Sequence, residues 1–256
     1  MRSPVLEVCV DSVASAIAAK RGGADRLELC ADLIIGGTTP SPALLRQVKA
    51  ETGLPVRCLV RPRFGDFCYD AYELEQMQQT AADLAAAGAD GIVTGVLTPE
   101  GELDADALRP IYAAARQAAG ARPLACTLHR AFDVCRDPFA ALEAACELSL
   151  ATILTSGQAA SAPEGAALLH ELVERAAGRI EILVGSGVNA ANIPTLAAAT
   201  GAGAFHLSGK RVVDSRMTFR RAGVPMGIAG ASEYELWQTD ENAIRAARLA
   251  LDEAAL

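Results

Sequence analysis

Two segments near the start of the chain share one pattern. Leu6-Glu7-Val8-Cys9-Val10-Asp11 is followed, about one strand–helix unit later, by Leu27-Glu28-Leu29-Cys30-Ala31-Asp32. Alternate residues of a β-strand share a face. Each segment therefore points its Glu and Cys to the same side. Carboxylates and thiols are costly to bury unless they find partners. Two such strands in succession predict a polar pocket inside a sheet or barrel.

Further reactive side chains cluster where apolar runs end. Arg61-Pro62-Arg63 closes the third run, and His129-Arg130 closes the fifth. Thr155-Ser156-Gly157, Gly185-Ser186-Gly187 and His206-Leu207-Ser208-Gly209-Lys210 close the last three. Arginine grips carboxylate or phosphate in a fork, so Arg61, Arg63 and Arg130 are candidate anion ligands. The plain alternative is that they pair with Glu28 or Asp66 and brace a rim. His129 is a candidate general acid–base near neutral pH, assisted by Glu7 or Glu28; a lone histidine can equally be structural. Ser156, Gly185, Gly187 and Ser208 lie in turns that expose backbone N–H groups, and Lys210 adds charge there. Such turns cradle anions in many folds, or serve only as tight turns.

Cys9 and Cys30 have two readings. Free cysteine often fills apolar space. Alternatively, two thiolates on neighbouring strands hold Cu(I) in near-linear coordination, since soft sulfur selects that ion. That requires depressed thiol pKa values, which Glu7 and Glu28 oppose. Cys58, Cys68, Cys126, Cys135 and Cys146 show no ligand spacing and read as packing residues.

The elements that must position these groups alternate along the whole chain. Strand patterns cover 5–10, 26–30, 56–61, 91–97, 124–130, 152–156, 180–185 and 204–208. Helical patterns cover 12–21, 42–52, 71–87, 104–119, 138–149, 163–177, 190–199 and 240–254. Ser12, Ser41 and Asp137 are placed to cap helices, the last two before a proline at the first helical position. Pro110 should delay or bend its helix. Eight strands alternating with eight helices predict an α/β fold, a TIM-like (β/α)8 barrel in a single domain over 1–256. A doubly wound open sheet is the alternative. In a barrel, the active site lies at the C-terminal strand ends. The irregular 210–239 segment should then cover the mouth or form a subunit contact.

The chain has 256 residues, half of them hydrophobic, and a net charge of −8. That acidity argues against nucleic acid or an anionic membrane as partner. No apolar run approaches the roughly 20 residues that cross a bilayer, and Met1-Arg2-Ser3-Pro4 leads straight into a strand pattern. These features fit a cytoplasmic protein. Its seven cysteines lack CxxC pairs and read as free thiols in a reducing compartment.

The chain resembles the copper homeostasis protein CutC family. The resemblance rests on E-V-C-V-D-S at 7–12, G-G-A-D-R-L-E-L-C at 22–30, G-G-T-T-P-S at 36–41 and R-P-R-F-G-D-F at 61–67. It continues through V-T-G-V-L at 93–97, H-R-A-F-D at 129–133, L-T-S-G-Q at 154–158 and G-S-G-V at 185–188. It spans essentially residues 4–240, with His206 and Ser208 fitting the last strand. Phe64 stands where the family often has a small residue. The resemblance implies a TIM-like barrel, a cytoplasmic location and a role in copper tolerance or trafficking, with copper on Cys9 and Cys30. The residues themselves also support another function: an enzyme of lyase, isomerase or hydrolase type, acting on a small anionic, phosphorylated or sugar-derived metabolite. Either ligand, copper ion or small anion, needs Glu7, Glu28, Arg61 and His129 around one hollow. A homodimer or higher oligomer is expected from the Ala-rich outer helices.

Overall fold

The computed structural model describes residues 4–224, 226–227 and 231–254. Its order is strand then helix, eight times over. The strands are β1 (Val5–Val10), β2 (Arg26–Leu29), β3 (Val56–Leu59), β4 (Gly91–Thr94), β5 (Ala125–Leu128), β6 (Thr152–Thr155), β7 (Glu181–Val184) and β8 (Ala204–Leu207). All pair in parallel, and β8 returns to β1 to close the ring. The helices are α1 (Val13–Gly22), α2 (Pro42–Thr52), α3 (Ala71–Ala86), α4 (Ala105–Ala119), α5 (Pro138–Glu147), α6 (Ala166–Ala176), α7 (Ile193–Thr200) and α8 (Glu241–Ala254). The open-sheet alternative is excluded.

The caps follow the local chemistry. Ser12 Oγ accepts from the Ser15 N–H, Ser41 Oγ from Leu44, and Asp137 from Phe139 and Ala140. Each satisfies helix N–H groups that have no intrahelical partner. Pro110 does not delay its helix. α4 starts at Ala105, where Asp104 accepts from the Ala107 N–H, and runs through the proline. Its buried face of Leu108, Ile111, Tyr112, Ala115 and Ala119 outweighs the lost backbone hydrogen bond. Several strands stop sooner than the sequence pattern suggests. β3 ends at Leu59 and β5 at Leu128, and a 3-10 turn over Arg130–Val134 follows.

The 210–239 segment is partly regular. β9 (Lys210–Asp214) and β10 (Glu235–Thr239) form an antiparallel ribbon outside the barrel. The Thr239 N–H donates to Ser15 Oγ, tying its base to α1. Residues 225 and 228–230 of this segment, and residues 1–3 and 255–256, lie outside the described residues.

The outward faces of the strands pack on the helices in one apolar core. Leu6, Val8, Leu27, Ile92 and Phe205 are fully buried there. The inward faces are unusual, because the lower barrel is filled with charge. Glu7 on β1 is paired with Arg26 on β2, and Arg57 on β3 lies 3.8 Å away. Arg26 also reaches Glu181 on β7 (2.6 Å). Arg57 donates to Thr127 and Thr152 on β5 and β6. Glu7 is fully buried. Burial alone would push its carboxyl up, but the hydrogen bond from His206 and the two guanidinium groups outweigh that and hold it well below the usual range.

Removing one partner of a buried charge cluster leaves the others uncompensated, at a cost of about 3–5 kcal/mol. Glu7→Ala should therefore lower unfolding stability by that order in urea denaturation. Glu143→Ala, which breaks the exposed pair with Arg179, should change it far less. Equal effects would show that the buried cluster is not what stabilises the barrel.

Candidate functional site

Above the charged layer, at the C-terminal strand ends, a cavity of about 700 Å³ opens. Its floor comes from β1, β2 and β8. The Cys9 thiol donates to Glu28 Oε1 (3.5 Å), and its sulfur lies 3.7 Å from that of Cys30. The Cys30 thiol in turn faces the Val10 carbonyl (3.6 Å). Parallel register sets Cys9 beside Glu28, and Glu7 beside His206. His206 Nδ1 is 2.9 Å from Glu7 Oε1. One donor atom each from Cys9, Glu28 and His206 lies within 4.8 Å of the others.

This floor is electrostatically tense. The hydrogen bond with Cys30, burial and the nearby Glu28 all push the Cys9 thiol well up. Burial pushes the Glu28 carboxyl up, since the uncharged form needs no solvent. Its Oε2 is buried with no hydrogen-bond partner. Burial alone would pull His206 down, but the Glu28 and Glu7 carboxylates outweigh it and raise its pKa.

The wall over β3 and β5 carries His129, only 5% exposed. Its Nδ1 accepts from the Ala131 N–H (3.1 Å), which leaves the proton on Nε2, and Nε2 is buried without a partner. Burial and the nearby Arg61 charge push its pKa down to about 3. At neutral pH it is therefore a fixed hydrogen-bond donor rather than a proton shuttle. Gly95 makes room for the ring, because a Cβ there would lie 2.7 Å from Nδ1. The Phe67 ring tilts against it at 4.8 Å.

The structure separates the other sequence candidates. Glu28, Arg61 and His129 line one hollow, together with Cys9, Arg130, Gly187, Ser208 and Lys210. Glu7 lies beneath, where it orients His206. Arg61 is buried; its two terminal nitrogens donate to the carbonyls of Gly36, Gly37 and Gly65 (3.3, 3.1 and 3.0 Å), while its Nε is buried without a partner. Arg63 is outside the lining; Glu73 (2.6 Å), Asp66 and the Cys68 carbonyl hold it along its own loop. Ser156 is buried behind the wall and donates to the Ala159 carbonyl. Gly185 also stands back, against Leu154. Cys30 lies behind Cys9, fully buried. All seven cysteines are free.

His206 was visible at the end of its strand pattern, but sequence reasoning gave it no role. Its signal was strand parity with Ser208, but only the pairing of β8 with β1 reveals the Glu7 partner. Asp133 was given no role either. It accepts from Thr155 Oγ1 and from the Ser156 N–H, and pairs with Arg130 (2.6 Å), joining the turns after β5 and β6.

A family model described as the CutC family matches residues 4–211. A Chromobacterium violaceum protein named as a CutC family protein is 45% identical over 250 residues, 98% of this chain and 99% of that one. A human protein named copper homeostasis protein cutC homolog is 44% identical over 242 residues, 94% of this chain and 86% of that one. A crystal structure from Streptococcus agalactiae, described as a copper homeostasis protein CutC, superposes with a TM-score of 0.72 at 30% identity. It covers 80% of this chain and 98% of that one.

The three histidines of the chain provide a direct test by proton NMR. His206 should titrate above its ordinary value of 6.5, and His129 should stay neutral until near pH 3. The two act on stability with opposite sign. The unfolded chain protonates His129 below about 6.5 while the folded protein does not, so acid across that window destabilises. The contribution of His206 is present at acid pH and fades as pH rises past its folded midpoint. Ordinary midpoints for both would refute this account of the cavity.

Proposed function

The chain belongs to the CutC family, and from that membership and the donor set on the cavity floor we propose that it binds Cu(I) in copper homeostasis. Cys9 is the central ligand, supported by Cys30 and by His206 or Glu28. The observation that carries this reading is the 3.7 Å sulfur–sulfur contact next to an imidazole and a carboxylate within 4.8 Å of Cys9. Thiolate and imidazole both suit Cu(I).

The near-linear coordination expected from sequence fits the spacing less well. With bonds near the zinc–thiolate length of about 2.3 Å, a linear pair needs sulfurs about 4.6 Å apart. The closer spacing favours a bent site completed by a third donor, and His206 or Glu28 is in place to supply it. Glu7 fixes the His206 ring through Nδ1 and leaves Nε2 for the ion. Metal-bound histidines commonly have such a partner.

Copper must displace the Cys9 proton, which the surroundings hold firmly. Affinity therefore depends on pH. Cys9 alone of the two thiols reaches the cavity wall, so the ion enters through the barrel mouth.

The same reading places the protein in the cytoplasm, where its thiols stay reduced. None of the described helices is long and apolar enough to cross a membrane. It also pairs copies of the chain through the 210–239 segment, where Val212 and Leu236 on the ribbon and Met217 and Phe219 between its strands are exposed.

Titration with Cu(I) under a competing chelator tests the copper reading. Affinity should rise about tenfold per pH unit for each proton displaced. Cys9→Ser/Cys30→Ser should weaken binding by at least about 100-fold, the scale of two lost soft ligands. Unchanged stoichiometry and affinity in that double variant would remove the reading.

A further inference from the structure

The cavity is far larger than an ion requires. At about 700 Å³, it lies in the range of sites that enclose small organic molecules. Its two halves also differ in chemistry. Thiols, carboxylate and imidazole occupy the floor over β1, β2 and β8. The rim from β5 round to β8 carries cations and turns. Arg130 stands at the end of β5, its Nε on Asp133 and one Nη on Ser156 Oγ, which aligns the guanidinium along the rim. Lys210 follows β8 with its ammonium 3.5 Å over the Trp237 ring. Between them lies the turn after β7, where Ser186 and Gly187 both have left-handed backbone (φ 74° and 72°). Both residues line the cavity, so this turn brings polar backbone to its edge. Apolar Leu59, Phe67, Leu154 and Val188 line the passage between rim and wall.

His129 is the second, independent observation. A buried N–H without a partner is costly, and this one belongs to a side chain only 5% exposed that lines the cavity. Gly95 is required to seat its ring, and the Ala131 N–H holds the tautomer. This arrangement holds a donor ready for an oxygen that the chain does not supply.

We propose that the upper cavity is a binding site for a small polyhydroxylated oxyanion, a sugar phosphate or sugar acid of about three to six carbons. Its anionic group lies at the β7 turn between Arg130 and Lys210, and one of its oxygens accepts from His129 Nε2–H. The site uses neither Cys9 nor Cys30, so it stands or falls apart from copper binding. Arg61 contributes structure here: it holds the loop carbonyls of Gly36, Gly37 and Gly65 and supports Phe67 (5.1 Å), which in turn packs on His129.

Calorimetric titration of the full chain with fructose 6-phosphate, gluconate and inorganic phosphate provides the test. Either organic probe should bind saturably and more tightly than inorganic phosphate. The one that binds identifies the anionic group. Lys210→Ala and Arg130→Ala should each weaken it about tenfold or more, the scale of a lost charged hydrogen bond. Both residues are exposed, so these variants should fold. His129→Phe should weaken the organic probe several-fold while leaving inorganic phosphate unchanged. Cys9→Ser/Cys30→Ser should leave binding intact even where it abolishes copper uptake. Binding of neither organic probe, binding indifferent to the rim variants, or inorganic phosphate binding as well as the organic probes would overturn the proposal.

Discussion

The structure depends on one buried carboxylate. Glu7 lies at the centre of the barrel, fully enclosed, and joins charged groups from four directions: Arg26, Arg57, His206 and, through Arg26, Glu181. Most barrels of this fold fill their interior with branched apolar side chains. Here the lower interior is a charge cluster, with Thr127 and Thr152 both accepting from Arg57 Nη1. The cluster determines what sits above it. It fixes the His206 ring, whose neighbour Glu28 is left with one oxygen unpaired. The reactive floor is therefore an extension of the foundation.

The cavity consequently combines two kinds of chemistry. The floor is soft and acidic, suited to an ion that can displace a proton from sulfur. The rim is cationic, suited to oxyanions. His129 stands between them as a neutral donor, held so by burial and by Arg61. The two halves need not serve one ligand, although an occupant of the upper half would lie over the entrance to the lower.

The alternation of strands and helices was legible because helix caps and strand patterns are local signals. Ser12, Ser41 and Asp137 each do at their positions what their side chains predict. The C-terminal strand ends were legible as the place where reactive residues collect. Side-chain partners were not. Arg61 and Arg63 have the same parity and stand in one motif, yet one turns inward to loop carbonyls and the other along the surface to Glu73. The chain leaves the strand at Leu59, and parity no longer determines direction beyond it. Arg26, Arg57 and Glu181 sit near strand beginnings, far in sequence from one another, and only closure of the ring brings them together. The ribbon at 210–239 was hidden because Gly, Pro and charge mask a short two-stranded pattern.

The Glu7–His206 contact also bears on how the chain assembles. It joins residues 199 positions apart, across the seam where first and last strands meet. Until β8 arrives, Glu7 lacks its His206 partner and the edge of β1 is unpaired. A barrel of seven strands is thus penalised twice, in hydrogen bonds along the open edge and in electrostatics at the centre. Such coupling makes stepwise assembly unprofitable and drives the ring toward all-or-none closure.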